Sequence, residues 1–147
     1  IALGGEMPVL RPDTVIFGLG RFGMQIADAL NERGRNVVGV DFNPDLIHPS
    51  IIHKIPVQYG DVENPDFISH MDLESIRWIV CTIRDFTIAQ LVVKTLKEAG
   101  YCGKIAISCH TESQAADLKR QGADLVLIPY RDAANEAVDR LIQKDEQ

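Results

Sequence analysis

Short apolar runs alternate with segments of helical period along almost the whole chain. Residues 14–17, Thr-Val-Ile-Phe, form a β-branched run ended by Gly18 and predict a buried strand. A helix is predicted over 21–33, with Phe22, Ile26, Ala29 and Leu30 on one face and Gly34 as its stop. A second strand is predicted over 36–41. Asn43-Pro44 then pairs a capping side chain with proline at the first helical position, so a short helix is predicted over 45–50. A third strand is predicted over 55–59, and Asn64-Pro65 repeats the capping signature to open a helix through Phe67 and Ile68. A fourth strand over 77–81 precedes a helix capped by Asp85, running to about Ala99 and ended by Gly100. The fifth strand, 104–108, is followed by a helix that opens on a capping box of Thr111 and Gln114 and closes at Gly122. A sixth strand over 125–128 is stopped by Pro129. The last helix, over 132–143, carries two small-residue stripes: Ala133, Ala137, Leu141 and Ala134, Val138, Ile142.

Continuous apolar strands between helices imply a sheet buried on both faces, because each helix needs a surface for its own apolar stripe. Right-handed crossovers then give a Rossmann-type, doubly wound α/β fold: a mostly parallel six-stranded sheet with helices on both faces. Residues 1–10 carry Gly and Pro without a period. The expectation is an arm or linker remnant over 1–12 and one nucleotide-binding domain over 13–147.

Composition narrows the class. A length of 147 residues suits one domain, and 46% hydrophobic with 24% charged residues is ordinary for a soluble globular fold. The balance of 15 Lys+Arg against 21 Asp+Glu gives a net charge of -6, with the basic residues dispersed. That excludes the broad basic footprint of a nucleic-acid binder but leaves room for a pocket that takes one phosphate group. No apolar run approaches the ~20 residues of a membrane helix. The chain opens at Ile1 rather than Met and shows no leader pattern, so it is expected to be a fragment whose membrane segment, if any, lies elsewhere. Three cysteines, Cys81, Cys102 and Cys109, are too sparse for a disulfide framework and read as reduced thiols, with Cys81 packed inside. Cys102, Cys109 and His110 lack paired metal-ligand spacing, so no metal is expected. His48, His53 and His70 read as polar surface residues.

The chemistry concentrates at Gly18-Leu19-Gly20-Arg21-Phe22-Gly23, a G-x-G-x-x-G turn between a predicted strand and a predicted helix. Gly18 allows the tight turn, Gly20 lets a phosphate approach the backbone, and Gly23 lets the helix pack against the sheet. The helix start offers free N–H groups and partial positive charge to an anion. Arg21 opposes that dipole unless a phosphate is present to pair with it. Asp41 ends the second strand 18 positions after Gly23, where a carboxylate accepts hydrogen bonds from ribose hydroxyls and repels a 2′-phosphate; the rival reading is a cap of the following turn. Asp61 follows the third strand and is placed to accept from an adenine amino group. Thr82, Ile83 and Arg84 follow the fourth, on the phosphate or second-nucleotide side. Leu19 in the turn, Phe42 and Asn43 beside Asp41, and Val62 beside Asp61 complete the expected cofactor-binding set. For Asp61, Thr82 and Arg84 a helix cap or loop charge is an equal alternative.

The glycine turn, Val40-Asp41-Phe-Asn-Pro44, Tyr59-Gly-Asp61, the strand ending at Thr82 and Gly122-Ala-Asp-Leu-Val-Leu-Ile-Pro129 occur in this order. Together they resemble the regulator-of-potassium-conductance domain, also called the TrkA-N domain, from about Asp13 to Leu141. The resemblance implies a domain on the cytoplasmic side of potassium channels, potassium uptake systems or cation–proton antiporters. It implies binding of NAD(H), AMP, ADP or ATP, with no catalytic residue, and transmission of that event to a membrane ion-transport partner. It further implies a homodimer or ring-like homo-oligomer, with the last helix often packed on a neighbouring subunit. The two stripes on that helix fit such packing and equally fit packing on the chain's own sheet. One departure stands out: Thr82-Ile-Arg84-Asp85 replaces a segment often rich in Asn or Asp, and Arg84 suits an added phosphate charge. The 147 residues do not reach the family's second, regulatory C-terminal subdomain.

The rival with the same fold is the cofactor half of a dehydrogenase. It needs an acid or base beside the nicotinamide and a substrate pocket. No Tyr-x-x-x-Lys pair is present, since Ala134 follows Tyr130 and Ile105 follows Tyr101 at that spacing, and no His lies beyond His110. A vestigial interaction module is disfavoured by the complete glycine turn and its acidic partner.

Overall fold

The computed structural model describes residues 11–48 and 50–147, so most of the expected arm, residues 1–10, lies outside the described residues. Six strands, β1 (Thr14–Phe17), β2 (Val37–Asp41), β3 (Val57–Tyr59), β4 (Trp78–Cys81), β5 (Lys104–Ser108) and β6 (Leu125–Leu127), form one sheet in the order β3-β2-β1-β4-β5-β6. All five pairings are parallel. The order reverses between β1 and β4, which is the switch point of a Rossmann-type doubly wound fold. Four α-helices lie between strands, α1 (Arg21–Glu32), α2 (Pro65–Ser69), α3 (Phe86–Glu98) and α4 (Glu112–Gln121), and α5 (Pro129–Asp145) follows β6.

The period-2 alternation of the strands divides the core into two layers. Val15 and Phe17 of β1, Ile79 and Cys81 of β4 and Ile105 and Ile107 of β5 pack with Ile68, Val92, Val93, Leu96 and Leu118 of α2, α3 and α4. Ile16, Val37, Val80 and Ala106 face the other way, where Ala27 and the half-buried Met24, Ile26 and Leu30 of α1 meet them. Cys81 is fully buried as expected, and that burial pushes its thiol up to about 11.

The caps follow the expected chemistry. Asn43, Asn64, Asp85 and Thr111 each accept a backbone N–H from the first turn they open. The Thr111 box differs in one respect: Gln114 accepts from the N–H of His110, one residue outside the cap. The predicted helix over 45–50 is a single 3₁₀ turn, Pro44–Ile47, with Pro49 outside the described residues. The third strand begins at Val57 rather than at 55, because Pro56 lacks an N–H and only its carbonyl takes part, accepting from Gly39.

The last helix departs most from expectation. It starts at Pro129, read from sequence as a strand stop, because proline at the first helical position lacks only an N–H that would have no intrahelical partner. It contains no buried residue. Val138, Leu141 and Ile142 are about half exposed or more, at 49%, 65% and 53%. The stripes therefore do not pack on this chain's own sheet. Beside α1, that sheet face shows an apolar groove of about 340 Å³ lined by Ile26, Leu30, Trp78, Val80, Leu125 and Leu127. Among the described residues, no helix is long and apolar enough to cross a membrane.

Candidate functional site

The carboxyl ends of β1, β2 and β4 hold the glycine turn in place. Gly18 sits at φ 95°, a conformation that costs an L side chain strain. Its N–H donates to the Val40 carbonyl at 2.9 Å, and its carbonyl accepts the Thr82 hydroxyl at 2.9 Å. At Gly23 a β-carbon would overlap the Gly18 carbonyl oxygen and lie 2.7 Å from Thr82 Oγ1, so only glycine lets α1 start this close to the sheet. Gly20 is the opposite case: nothing lies within 4 Å of the place its β-carbon would take. The backbone at the start of α1 is thus locked on both sides and open in the middle, where free N–H groups attract an anion.

Asp41 is built into this turn. Its Oδ2 accepts from the Leu19 N–H at 2.8 Å and its Oδ1 from the Asn43 N–H at 2.9 Å, tying the end of β2 to the glycine loop. A carboxylate offers about four lone-pair sites, so two remain for a ligand. Asp61 is exposed and accepts from the Glu63 N–H in a local turn.

Two hollows flank the turn. The smaller, about 50 Å³, lies over β2 and β3. It brings together Gly18, Asp41, Phe42, Asp61, Val62 and Ile83 from the expected set, with Glu63 and Ile88 at its margin. Its charged side chains are all acidic. The larger, about 310 Å³, lies over β4 and β5 and brings together Arg21, Phe22, Thr82 and Arg84. Leu19, Gly20, Gly23 and Asn43 line neither. The Leu19 side chain is buried in the core layer beneath α1, close against Gly39 of β2, and the Asn43 side chain is used on Asp45.

Sequence reasoning did not place Phe86, Ser108, Cys109, His110, Gln114 and Tyr130, which also line the larger cavity. The available signal was position, since several of them directly follow the fifth and sixth strands, at the edge where open α/β sheets bind ligands. Burial pushes the Cys109 thiol up, outweighing its bond to the Thr111 carbonyl and the charge of Arg131, so it stays a protonated thiol.

The fold and this cleft define a Rossmann-type domain with a glycine turn and an acidic partner at its switch point. The chain belongs to the TrkA-N domain family, whose model matches residues 14–129. It is 24% identical over 130 residues to the Ktr system potassium uptake protein A of Vibrio alginolyticus, covering 88% of this chain and 59% of that protein. It is 25% identical over 122 residues to a putative K(+) efflux antiporter KefB of Alkalimonas amylolytica, covering 83% of this chain and 18% of that protein. The chain thus spans only part of these relatives.

Among solved structures, the TrkA-N domain of the Escherichia coli inner membrane protein ybaL superposes with a TM-score of 0.75 at 18% identity, covering 91% of this chain and 99% of that one. The GsuK channel bound to NAD gives 0.70 at 19% identity, covering 83% and 22%. The AMP-bound Kef C-terminal domain of Shewanella denitrificans gives 0.71 at 23% identity, covering 88% and 79%.

Proposed function

We propose that this chain is the nucleotide-sensing regulatory domain of a potassium transport system and binds an adenine nucleotide, NAD(H) or AMP, ADP or ATP, at the glycine turn. The observation that carries the reading is the open backbone at Gly20, held between a locked Gly18 and Gly23 and bordered by acidic and arginine-bearing hollows. The sugar and adenine lie over β2 and β3, with Asp41 toward the ribose hydroxyls, Asp61 toward the adenine amino group, and Phe42, Val62 and Ile83 against the ring. The phosphates lie at Gly20, toward Arg21 and Arg84. Two similar structures, the GsuK channel and the Kef domain, are described with NAD and AMP bound, and the similar full proteins are named as a potassium uptake protein and a putative K(+) efflux antiporter.

The role is regulatory, not catalytic. His110 and Tyr130 line the larger cavity, yet among the described residues neither side chain has a carboxylate to orient it for proton transfer. The domain works on the cytoplasmic side of a membrane, as a homodimer or larger ring coupled to an ion-transport domain. The unpartnered apolar face of α5 and the open groove on the sheet suit mutual burial between two copies.

Titration calorimetry with AMP, ADP and NAD tests the reading. Asp41→Ala is expected to weaken binding by about 1–3 kcal/mol through lost charge-assisted hydrogen bonds. No heat of binding for any of the three, or the same affinity in the variant, counts against it.

A further inference from the structure

The Gly18–Leu19 peptide unit is held at both of its polar ends by side chains from different strands. Its carbonyl, on Gly18, accepts the Thr82 hydroxyl at 2.9 Å, from the residue that follows β4. Its N–H, on Leu19, donates to Asp41 Oδ2 at 2.8 Å, at the end of β2. The chain on either side of this peptide is fixed as well. The Gly18 N–H donates to the Val40 carbonyl at 2.9 Å, and the buried Leu19 side chain is seated against Gly39. Between these anchors the peptide plane can still turn about the line joining its two α-carbons, because glycine at φ 95° opposes few backbone rotations. One rigid plane carries both polar groups, so turning it draws the carbonyl from Thr82 and the N–H from Asp41 together.

Thr82 is itself firmly placed. Its N–H donates to the Phe17 carbonyl at 2.9 Å, which extends the pairing of β4 with β1 by one residue. Its hydroxyl has one proton and two carbonyls near it, Gly18 at 2.9 Å and Phe17 at 3.5 Å, and the nearer one takes it. The start of α1 closes over this bond: a β-carbon on Gly23 would overlap the Gly18 oxygen and lie 2.7 Å from Thr82 Oγ1. Asp41 depends on the same plane. Its two oxygens take the Leu19 N–H and, at 2.9 Å, the Asn43 N–H, and together these bonds fix the carboxylate at the wall of the smaller hollow. Without the first bond, it keeps only the one from its near neighbour in sequence.

Resting on the nucleotide reading above, we infer that Thr82 is a positioning residue for Asp41. It sets the affinity for the ribose through the Gly18–Leu19 peptide and does so without touching the ligand. When the hydroxyl is removed, the peptide turns, the Leu19 N–H leaves Asp41, and the carboxylate loses the orientation in which it receives the ribose hydroxyls. Thr82 also borders the larger cavity, so a direct contact with phosphate is the rival role. The two roles differ in their coupling: a positioning residue has nothing to act on once Asp41 is gone, whereas a direct contact keeps its full effect.

The test is a double-substitution cycle read by calorimetry, joined to amide exchange of the nucleotide-free protein. Thr82→Val keeps the shape and removes the hydroxyl, and Thr82→Ser keeps the hydroxyl. Per folded molecule, Thr82→Val is expected to weaken AMP binding about tenfold, the worth of one bond whose loss leaves a carbonyl unpaired. Thr82→Ser should stay within about threefold of the parent. In an Asp41→Ala background, Thr82→Val should cost less than about twofold. Exchange at the Leu19 amide should speed up about tenfold in Thr82→Val and not in Thr82→Ser. Thr82→Cys, a weaker donor at the same place, stands in with the same signs where the valine variant does not fold. A loss that persists in full over Asp41→Ala makes Thr82 a direct contact or a general support and overturns the inference. Unchanged AMP affinity or unchanged Leu19 exchange in Thr82→Val overturns it too. These outcomes leave the nucleotide site standing, whereas a parent protein that binds neither AMP, ADP nor NAD sinks both.

Discussion

The two ends of the sheet are built from the same strands and do opposite things with their polar groups. At the amino end every group named has a partner within the chain. Arg35 Nε donates to Asp13 Oδ1 at 3.1 Å and its guanidinium to the Thr14 hydroxyl at 3.0 Å, which in turn donates to Asp13 at 2.8 Å. The Asn36 N–H adds a third bond to Asp13. Nearby, the buried Tyr101 hydroxyl donates to the Ile76 carbonyl, and both burial and the charge of Asp124 push it up, so it stays protonated. At the carboxyl end the helix start is open at Gly20, and Arg21 and Arg84 face a cavity without a partner among the described residues. The cause is topological: loops at the carboxyl edge lead into helix N-termini and diverge where the strand order reverses, whereas loops at the amino edge close directly onto the strands. On the proposed reading, fold stability and ligand binding fall to opposite edges, and substitutions should separate them.

The largest effect is expected where the two functions meet. Gly23→Ala forces a β-carbon into the Gly18 carbonyl, so the turn and α1 must move apart. A loss of about 2–4 kcal/mol in urea unfolding, with nucleotide binding abolished, is the expected outcome. A variant as stable as the parent that still binds would show that the turn yields more easily than its packing implies. Next comes the amino edge alone. Arg35→Ala leaves a carboxylate, 28% exposed, without its cation and should cost about 1–3 kcal/mol of stability. Nucleotide affinity should hold within about twofold, since sites this far apart act independently; a large loss of affinity would erase the division between the edges.

Gly20→Ala isolates the carboxyl edge. The added methyl meets open space, so melting should change by no more than about 1 kcal/mol, from the poorer cap. Binding should nevertheless weaken, because the methyl occupies the phosphate's approach. Unaltered affinity would place the phosphate elsewhere.

The smallest effect is pH-dependent. Burial raises the Asp13 carboxyl, but bonds from Thr14, Asn36 and Arg35 and the charge of Arg35 outweigh it and hold the group below the usual carboxylate range. Its folded-state value is lowered, so its stabilisation is complete above the unfolded value of about 4 and is lost as pH falls below that. Asp13→Asn should flatten the acid limb of a stability–pH curve. An unchanged limb would assign acid sensitivity to other carboxylates.

Much of the fold was legible because short-range rules govern it. Asn43, Asn64, Asp85 and Thr111 each open the helix their cap chemistry indicates, since a cap needs only the next two or three residues. The glycine turn was legible for the same reason. Thr82 was expected at this edge, but its contact was not legible: its hydroxyl clamps the Gly18 carbonyl from 64 positions away, which no local pattern encodes. Nor was the double use of Asp41 on Leu19 and Asn43.

The strands, helices, turn and family signature follow from the order of residues alone, because hydrophobic period, caps and glycines act within a few positions. Which side chains stand together at the carboxyl edge was decided only in three dimensions. The order β3-β2-β1-β4-β5-β6 brings the loops after β4 and β5 beside the first glycine turn and gathers Arg84, His110 and Tyr130 around one cavity. The same holds for α5: its stripes are plain in the sequence, but only the packed sheet shows that its own domain leaves them uncovered.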